Sequence, residues 1–315
     1  MNNIKSFSFQ AKKFTRANII KDWRQNRTLY WIILPVVLYF FVFCYLPMFG
    51  MVIAFQNYSP SLGVLNSEWV GLQNFKDFFG SYFFGRLMVN TLRLSLLDLI
   101  VGFPAPIILA LLLNEVNNRW FKSTLQTVSY MPYFLSLMVV CSLISDFCNP
   151  GGAIQSIVQK ITGNELGLLS QPEMFPAIYV LSNVWQGVGF QSIIYLAAIA
   201  GIDQEQYEAA RIDGAGRWRQ ALCITLPSLA PTIVILLILR LGSTMTVGYE
   251  KILLLYNPGI YSTADVLSTF IYRKAFLDNN YGISAAAGLF NSVINTALLL
   301  ITNRIAKKIS DTSLF

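Results

Sequence analysis

The 315-residue sequence is 55% hydrophobic and 12% charged, with a mean hydropathy of +0.53. An ordinary soluble domain carries about 25% charged residues, so a soluble globular protein is excluded and a membrane protein is implied. The net charge is +7 without a single histidine, which also excludes imidazole general bases, His-phosphate relays and His-containing metal sites.

The chain opens on a basic segment. Lys5, Lys12, Lys13, Arg16, Lys21, Arg24 and Arg27 all precede the first apolar run, as in a segment held at an anionic inner leaflet. Phe14, Ile19, Ile20 and Trp23, interleaved with these cations, predict an interfacial helix within a cytoplasmic N-terminal segment, residues 1–28. Six apolar runs then follow, over 29–55, 87–113, 125–147, 175–200, 222–247 and 284–304, each able to cross about 30 Å of hydrocarbon as a helix. Strands are excluded because lipid satisfies no open sheet edge and the runs do not alternate with period two. The fold class is therefore an all-α integral membrane protein with six transmembrane helices, spanning 29–304, followed by a cytoplasmic tail, 305–315. The first run is too long for a signal-peptide core. Pro35, Pro47, Pro104, Pro106 and Pro132 fall inside spans and predict kinks.

Fifteen Lys and Arg fall on the N-terminal side of the membrane and six on the other, Lys251 among the six, which predicts cytoplasmic N- and C-termini. Cys44, Cys141, Cys148 and Cys223 form no C-x-x-C pair and read as reduced packing residues.

In the fourth span Tyr179, Asn183, Gln186 and Phe190 recur at helical spacing on one face. Polar groups at this depth face a bundle interior or a wet cavity, so the stripe suits either interhelical hydrogen bonding or a substrate pathway. The loop that follows, 201–227, is the most informative stretch. Asp203 with Gln206 makes a capping-box-like start to a short helix over 204–212, which Gly214 and Gly216 end. Glu208 and Arg211, one turn apart, supply charged anchors beside the slim Ala209 and Ala210. Within the fifth span Arg240 and, one turn on, Thr244 are candidate pathway residues. Arg240 needs a partner among Asp98, Asp146 and Glu250, or else faces an acidic substrate. Segment 247–283, with Tyr249, Tyr256, Tyr261 and Tyr272, is expected to cover the outer mouth. On the sixth span Gly288, Asn291 and Asn295 form another polar face, open to the same two readings.

The spacing E-A-A, three residues, G, nine residues, I-x-L-P is met by Glu208, Ala209, Ala210, Gly214, Ile224, Leu226 and Pro227. It resembles the EAA loop of ABC-importer permeases, with Asp203 where many carbohydrate permeases have proline. Pro35 to Pro60 with the following Trp69-Val-Gly-Leu-Gln-Asn-Phe75, and Gly248 to Pro258 with Asp265 to Arg273, look like the branch of carbohydrate permeases importing oligosaccharides and polysaccharide fragments.

The resemblance implies a type I ABC importer transmembrane-domain fold in a bacterial cell membrane. Its EAA coupling loop, 201–221, would dock on an ATPase through Tyr207, Glu208, Ala209, Ala210, Asp213, Gly214 and Arg217. Partners would be a second homologous permease, two ATP-binding subunits and an extracellular solute-binding lipoprotein; no nucleic acid is implied. The chain has no G-x-x-x-x-G-K-[ST] loop. It is thus expected to be non-catalytic and free of cofactors, with ATP and magnesium bound by the partner ATPase. The pathway residues above would then meet an oligosaccharide, acidic if Arg240 is unpaired. A stand-alone secondary transporter or channel is the alternative; it calls for inverted repeats and midspan carboxylates, of which Asp98 is the strong example.

Overall fold

The computed structural model describes residues 16–163 and 167–309. Phe14, with the rest of residues 1–15, and residues 310–315 of the expected tail lie outside them. The described residues are helical apart from short connections and a two-residue antiparallel ladder, Gln56–Asn57 against Glu68–Trp69. Five stretches are long and apolar enough to cross a membrane: Gln25–Phe55, Phe84–Glu115, Leu137–Ile161, Arg217–Gly242 and Tyr281–Lys308. Phe175–Ala200, from which helix Gln204–Ile212 bends by 72°, makes the sixth. They are called the first to sixth spans in chain order.

The chain divides into two units between Val52 and Ile53. In the first, helix Arg16–Phe40 breaks at Asn26 (φ −115, ψ 21), where the basic segment gives way to the apolar run. Side chains along this run are exposed, with Trp31, Ile32 and Phe43 each about two-thirds accessible.

Proline placement explains the helix irregularities. Three π-turns, Phe41–Tyr45, Asp98–Gly102 and Ala221–Thr225, each end two residues before a proline, Pro47, Pro104 or Pro227. A proline ring clashes with the carbonyl four residues back and offers it no N–H, and widening the turn ahead relieves both problems. Pro35 and Pro231, by contrast, sit within continuous helices. The run 125–147, read from sequence as one span, is in fact broken. Helix Arg119–Tyr130 passes into a 3₁₀ turn, Met131–Phe134, the backbone becomes extended at Leu135 and Ser136, and helix Leu137–Cys148 starts anew. Pro132 removes a ladder donor and Ser136 caps the new helix, its hydroxyl accepting from the Val139 N–H at 3.4 Å.

In the second unit the second, fourth and fifth spans meet around Ile107, Ala110, Tyr195, Ile199 and Leu229. A second cluster packs Phe78, Leu87, Met245, Leu267, Phe270 and Ala287. The fourth span also lies against Arg119–Tyr130 so closely that a side chain at Gly189 would fall 2.1 Å from the Ser129 carbonyl oxygen. Apolar side chains such as Leu92, Ile100, Ile108 and Val293 remain exposed, where the surrounding hydrocarbon or another subunit covers them.

Segment 247–283, expected to cover the outer mouth, folds as helices Tyr249–Leu255, Tyr261–Ala264 and Leu267–Phe276 with short turns between them. It is fastened to the second span through Asp265, a fully buried carboxylate. Arg273 reaches both Asp265 oxygens at 2.8 Å, Thr269 donates to one at 2.8 Å, and Arg86 lies 3.5 Å away. From the second span Asn90 donates to the Ser262 and Asp265 carbonyls, and Thr91 accepts from the Leu267 N–H. Burial works against the Arg273 charge, but its bonds to Asp265 outweigh that and raise its pKa above the ordinary value.

Candidate functional site

The loop after the fourth span forms the expected projecting pair of short helices. Asp203 caps Gln204–Ile212 by accepting from the Glu205 N–H at 3.0 Å. At the other end the Gly214 N–H donates to the Arg211 carbonyl (3.0 Å) and the Ala215 N–H to the Ala210 carbonyl (2.8 Å). This is a Schellman closure, which needs a left-handed residue after the cap; Gly214 supplies it with φ +78. Glycine thus has a local reason at this position. Gly216 then starts the one-turn helix Arg217–Gln220, which runs through the π-turn into the body of the fifth span.

Glu208, Ala209, Asp213 and Arg217 are exposed on this projection, while Tyr207 and Ala210 are half-buried. The Tyr207 hydroxyl lies 2.8 Å from the Thr225 hydroxyl, binding the loop helix to the start of the fifth span. Ile212 and Trp218 are 87% and 77% exposed, an apolar cost in water that contact with another protein removes.

A cavity of about 440 Å³ lies among the second, fourth and fifth spans. Its wall includes Ser95, Asp98, Tyr133, Tyr179, Asn183, Gln186, Gln191, Arg240 and Thr244. Asp98 stands at the start of a π-turn, and Gly102 leaves room for its carboxylate: a β-carbon there would lie 3.1 Å from Oδ1. Arg240 pairs with Asp98. Of the three partners open on sequence grounds, folding therefore selects Asp98. The Asn183 amide donates to Asp98 Oδ1 at 3.3 Å and accepts from Lys251 Nζ at 2.8 Å. Lys251 is only 4% exposed, and among the described residues no carboxylate lies within ion-pair distance of it.

Tyr179 is buried, its hydroxyl accepting from the Gly248 N–H at 3.2 Å. Thr244 is joined to the second span by the Ser95 hydroxyl, which donates to its carbonyl. Phe190 is not itself on the wall but stacks at 3.9 Å on Tyr133, which is. Asn291 and Asn295 are not on the cavity wall. Asn295 instead holds the end of the fifth span, accepting from the Met245 N–H at 3.0 Å and donating to the Thr246 hydroxyl at 2.9 Å. Helical spacing had assigned these asparagines a common face, but what that face meets depends on the neighbouring helix.

Sequence reasoning did not single out Ser95, Tyr133, Gln191 or Lys251. Gln191 continues the four-residue spacing Asn183–Gly187–Gln191 and could have been found. Lys251 had been counted with the outer-loop cations, since nothing local marks it as buried.

Three comparisons bear on this arrangement. Residues 102–311 match the family described as "Binding-protein-dependent transport system inner membrane component". The chain is 44% identical over 293 residues to Protein LplB of Bacillus subtilis (strain 168), covering 93% of this chain and 92% of that one. It is 41% identical over 305 residues to the polygalacturonan/rhamnogalacturonan transport system permease protein YteP of the same organism, covering 96% and 95%. Among solved structures, a chain of a bacterial ABC transporter involved in the import of the acidic polysaccharide alginate superposes with a TM-score of 0.86 at 41% identity, over 93% of this chain and 99% of that one. An equal match comes from the bacterial alginate ABC transporter in complex with an alginate pentasaccharide-bound periplasmic protein.

Proposed function

The chain belongs to the binding-protein-dependent transport system inner membrane components, and on that premise we propose that it passes acidic oligosaccharides through the Asp98–Arg240 cavity. It is a multi-pass permease subunit of an ABC importer. The single observation that carries the substrate reading is the cavity wall, which combines an aromatic face (Tyr133), amides (Asn183, Gln186, Gln191), hydroxyls and an accessible guanidinium. Sugars are held by that combination of ring faces and directional hydrogen bonds; Arg240 is paired with Asp98 rather than unpaired, but its side chain stays 47% exposed, and a guanidinium so placed suits a uronate carboxylate. The transport-system names of YteP and the alginate importer support the same class of substrate.

In this reading the subunit is non-catalytic and holds no cofactor; ATP and magnesium are bound by two ATPase subunits. A second permease completes the pathway, a solute-binding lipoprotein delivers the sugar from outside, and both termini face the cytoplasm. Tyr207, Glu208, Ala209, Ala210, Asp213, Gly214 and Arg217 form the surface that meets an ATPase. The fourth and fifth spans, which carry Asn183 and Arg240, both lead into that loop. Movement of the loop is therefore delivered to the cavity wall through rigid helices. The stand-alone transporter reading leaves the projecting loop, with Ile212 and Trp218 exposed, without a purpose.

The test is uptake into proteoliposomes holding the assembled transporter. Import of labelled trigalacturonate that requires both ATP and this chain supports the reading. Import without ATP, or of no oligosaccharide at all, rejects it.

A further inference from the structure

The Asp98–Arg240 pair has an asymmetry that a purely structural ion pair does not need. The Arg240 side chain is 47% exposed and stands on the cavity wall, whereas the Asp98 side chain is 11% exposed. Behind Asp98 lies Asn183, and behind Asn183 lies Lys251, almost fully buried and, among the described residues, lacking a carboxylate of its own. The row Lys251–Asn183–Asp98–Arg240 therefore holds two cations and one anion. A buried ammonium held by one amide oxygen is costly compared with one facing a carboxylate, so the row is one negative charge short.

We propose that Asp98 is an internal stand-in for a substrate carboxylate: an entering uronate takes Arg240, and Asp98 turns to the Lys251 side of Asn183. The proposal rests on the oligosaccharide reading above and deepens it by assigning the residues that select for acid. Arg240 receives the sugar, Asp98 competes with it, and Lys251 is a positioning residue that acts through Asn183 and never touches the sugar. No bond is made or broken; one carboxylate replaces another at the guanidinium, and the released one finds the unpaired ammonium.

The local structure allows the exchange. Asp98 begins a π-turn, where the helical ladder is already widened. The empty side of Gly102 borders its carboxylate, at 3.1 Å from a would-be β-carbon. The Asn183 amide already touches both Asp98 and Lys251, so it bridges the two positions between which the carboxylate would exchange. Arg240 stays fixed meanwhile, because Ser95 and Asn295 tether the turn beyond it through the Thr244 carbonyl and the Met245 N–H.

The two competing charges give opposite expectations. Removing the competitor in Asp98→Asn should tighten binding of an acidic sugar, whereas a merely structural carboxylate would, on removal, weaken or abolish it. Removing the reserve charge in Lys251→Met should weaken acid binding, because the displaced Asp98 then has nowhere to go. Lys251→Met replaces a buried cation by a chain of similar shape, a change that buried sites commonly tolerate.

The experiment is equilibrium binding of trigalacturonate and of neutral maltotriose to the assembled transporter in nanodiscs, without the solute-binding protein so that its selectivity does not intervene. The wild type is expected to favour the acid. Asp98→Asn should bind it at least threefold more tightly, and Lys251→Met about thirtyfold more weakly, the low end of the scale for truncating one member of a desolvated charge set; the maltotriose constants should move much less. If either variant fails to assemble, the wild-type preference and the other variant still decide. Equal wild-type affinity for the two sugars, weaker acid binding by Asp98→Asn, or unchanged acid binding by Lys251→Met overturns the proposal while leaving an oligosaccharide permease. Binding of neither sugar counts against both.

Discussion

The hydroxyls of Tyr207 and Thr225 lie 2.8 Å apart, joining the exposed loop helix to the first turns of the fifth span. Arg240 lies fifteen residues further along that span, roughly 22 Å at the rise of a helix. The exposed loop and the charged wall of the cavity are thus ends of one lever. Removing only the hydroxyl, in Tyr207→Phe, is expected to cost about 1 kcal/mol of loop attachment and to lower substrate-stimulated ATPase activity severalfold in the intact complex. Stimulation equal to wild type would show that the bond carries no coupling.

Among the described residues Glu208 has no ion pair, and it is exposed on helix Gln204–Ile212. Glu208→Ala should leave membrane insertion and thermal stability as they are and sharply reduce the ATPase that co-purifies in mild detergent, or else sever hydrolysis from uptake. Normal uptake by this variant would count heavily against the loop as the coupling surface.

How much of this was legible beforehand differs from residue to residue. The loop helix was, since its signals are local: the Asp203 cap, the Gly214 turn and the spacing between them follow from backbone hydrogen bonding within about a dozen residues. The stripe Tyr179, Asn183 and Gln186 was found by periodicity, which names a face but not what the face meets; Asn291 and Asn295 gave the same signal but are not on the cavity wall, and Asn295 braces a helix end instead. Hydropathy averaging hid the break at Leu135–Ser136, because apolar residues continue through it and only Pro132 and Ser136 mark it. Asp98 as the partner of Arg240, and the burial of Lys251, depend on how distant segments pack, and no local pattern encodes that choice.

Gly189 tests the packing of the cavity's supporting helices. A β-carbon there would lie 2.1 Å from the Ser129 carbonyl oxygen and 2.8 Å from the Tyr130 nitrogen, both backbone atoms that cannot rotate away. Gly189→Ala should therefore cost about 1–3 kcal/mol, the usual penalty of overpacking, and displace the Tyr133–Phe190 stack. Thermal unfolding in detergent measures it; an unshifted transition would mean that the two helices part freely.

Asp265 ties segment 247–283 to the second span. Asp265→Ala leaves Arg273 and Arg86 without their carboxylate, a loss on the order of 3–5 kcal/mol for a buried pair. The expected readout is fast proteolysis within 247–283 at the outer face of right-side-out vesicles, with Asp265→Asn intermediate. Equal protection in all three proteins would contradict the role assigned to this carboxylate.

The most direct test of the central claim is ATP-dependent uptake of labelled trigalacturonate into proteoliposomes, comparing wild type with Arg240→Ala in otherwise identical transporters. The account expects ATP-dependent accumulation with the wild type and at least a tenfold loss for Arg240→Ala, about 1.4 kcal/mol or more of lost recognition, with the ATPase still attached. Equal accumulation by the two would contradict it, because the guanidinium on the cavity wall would then play no part in carrying the sugar.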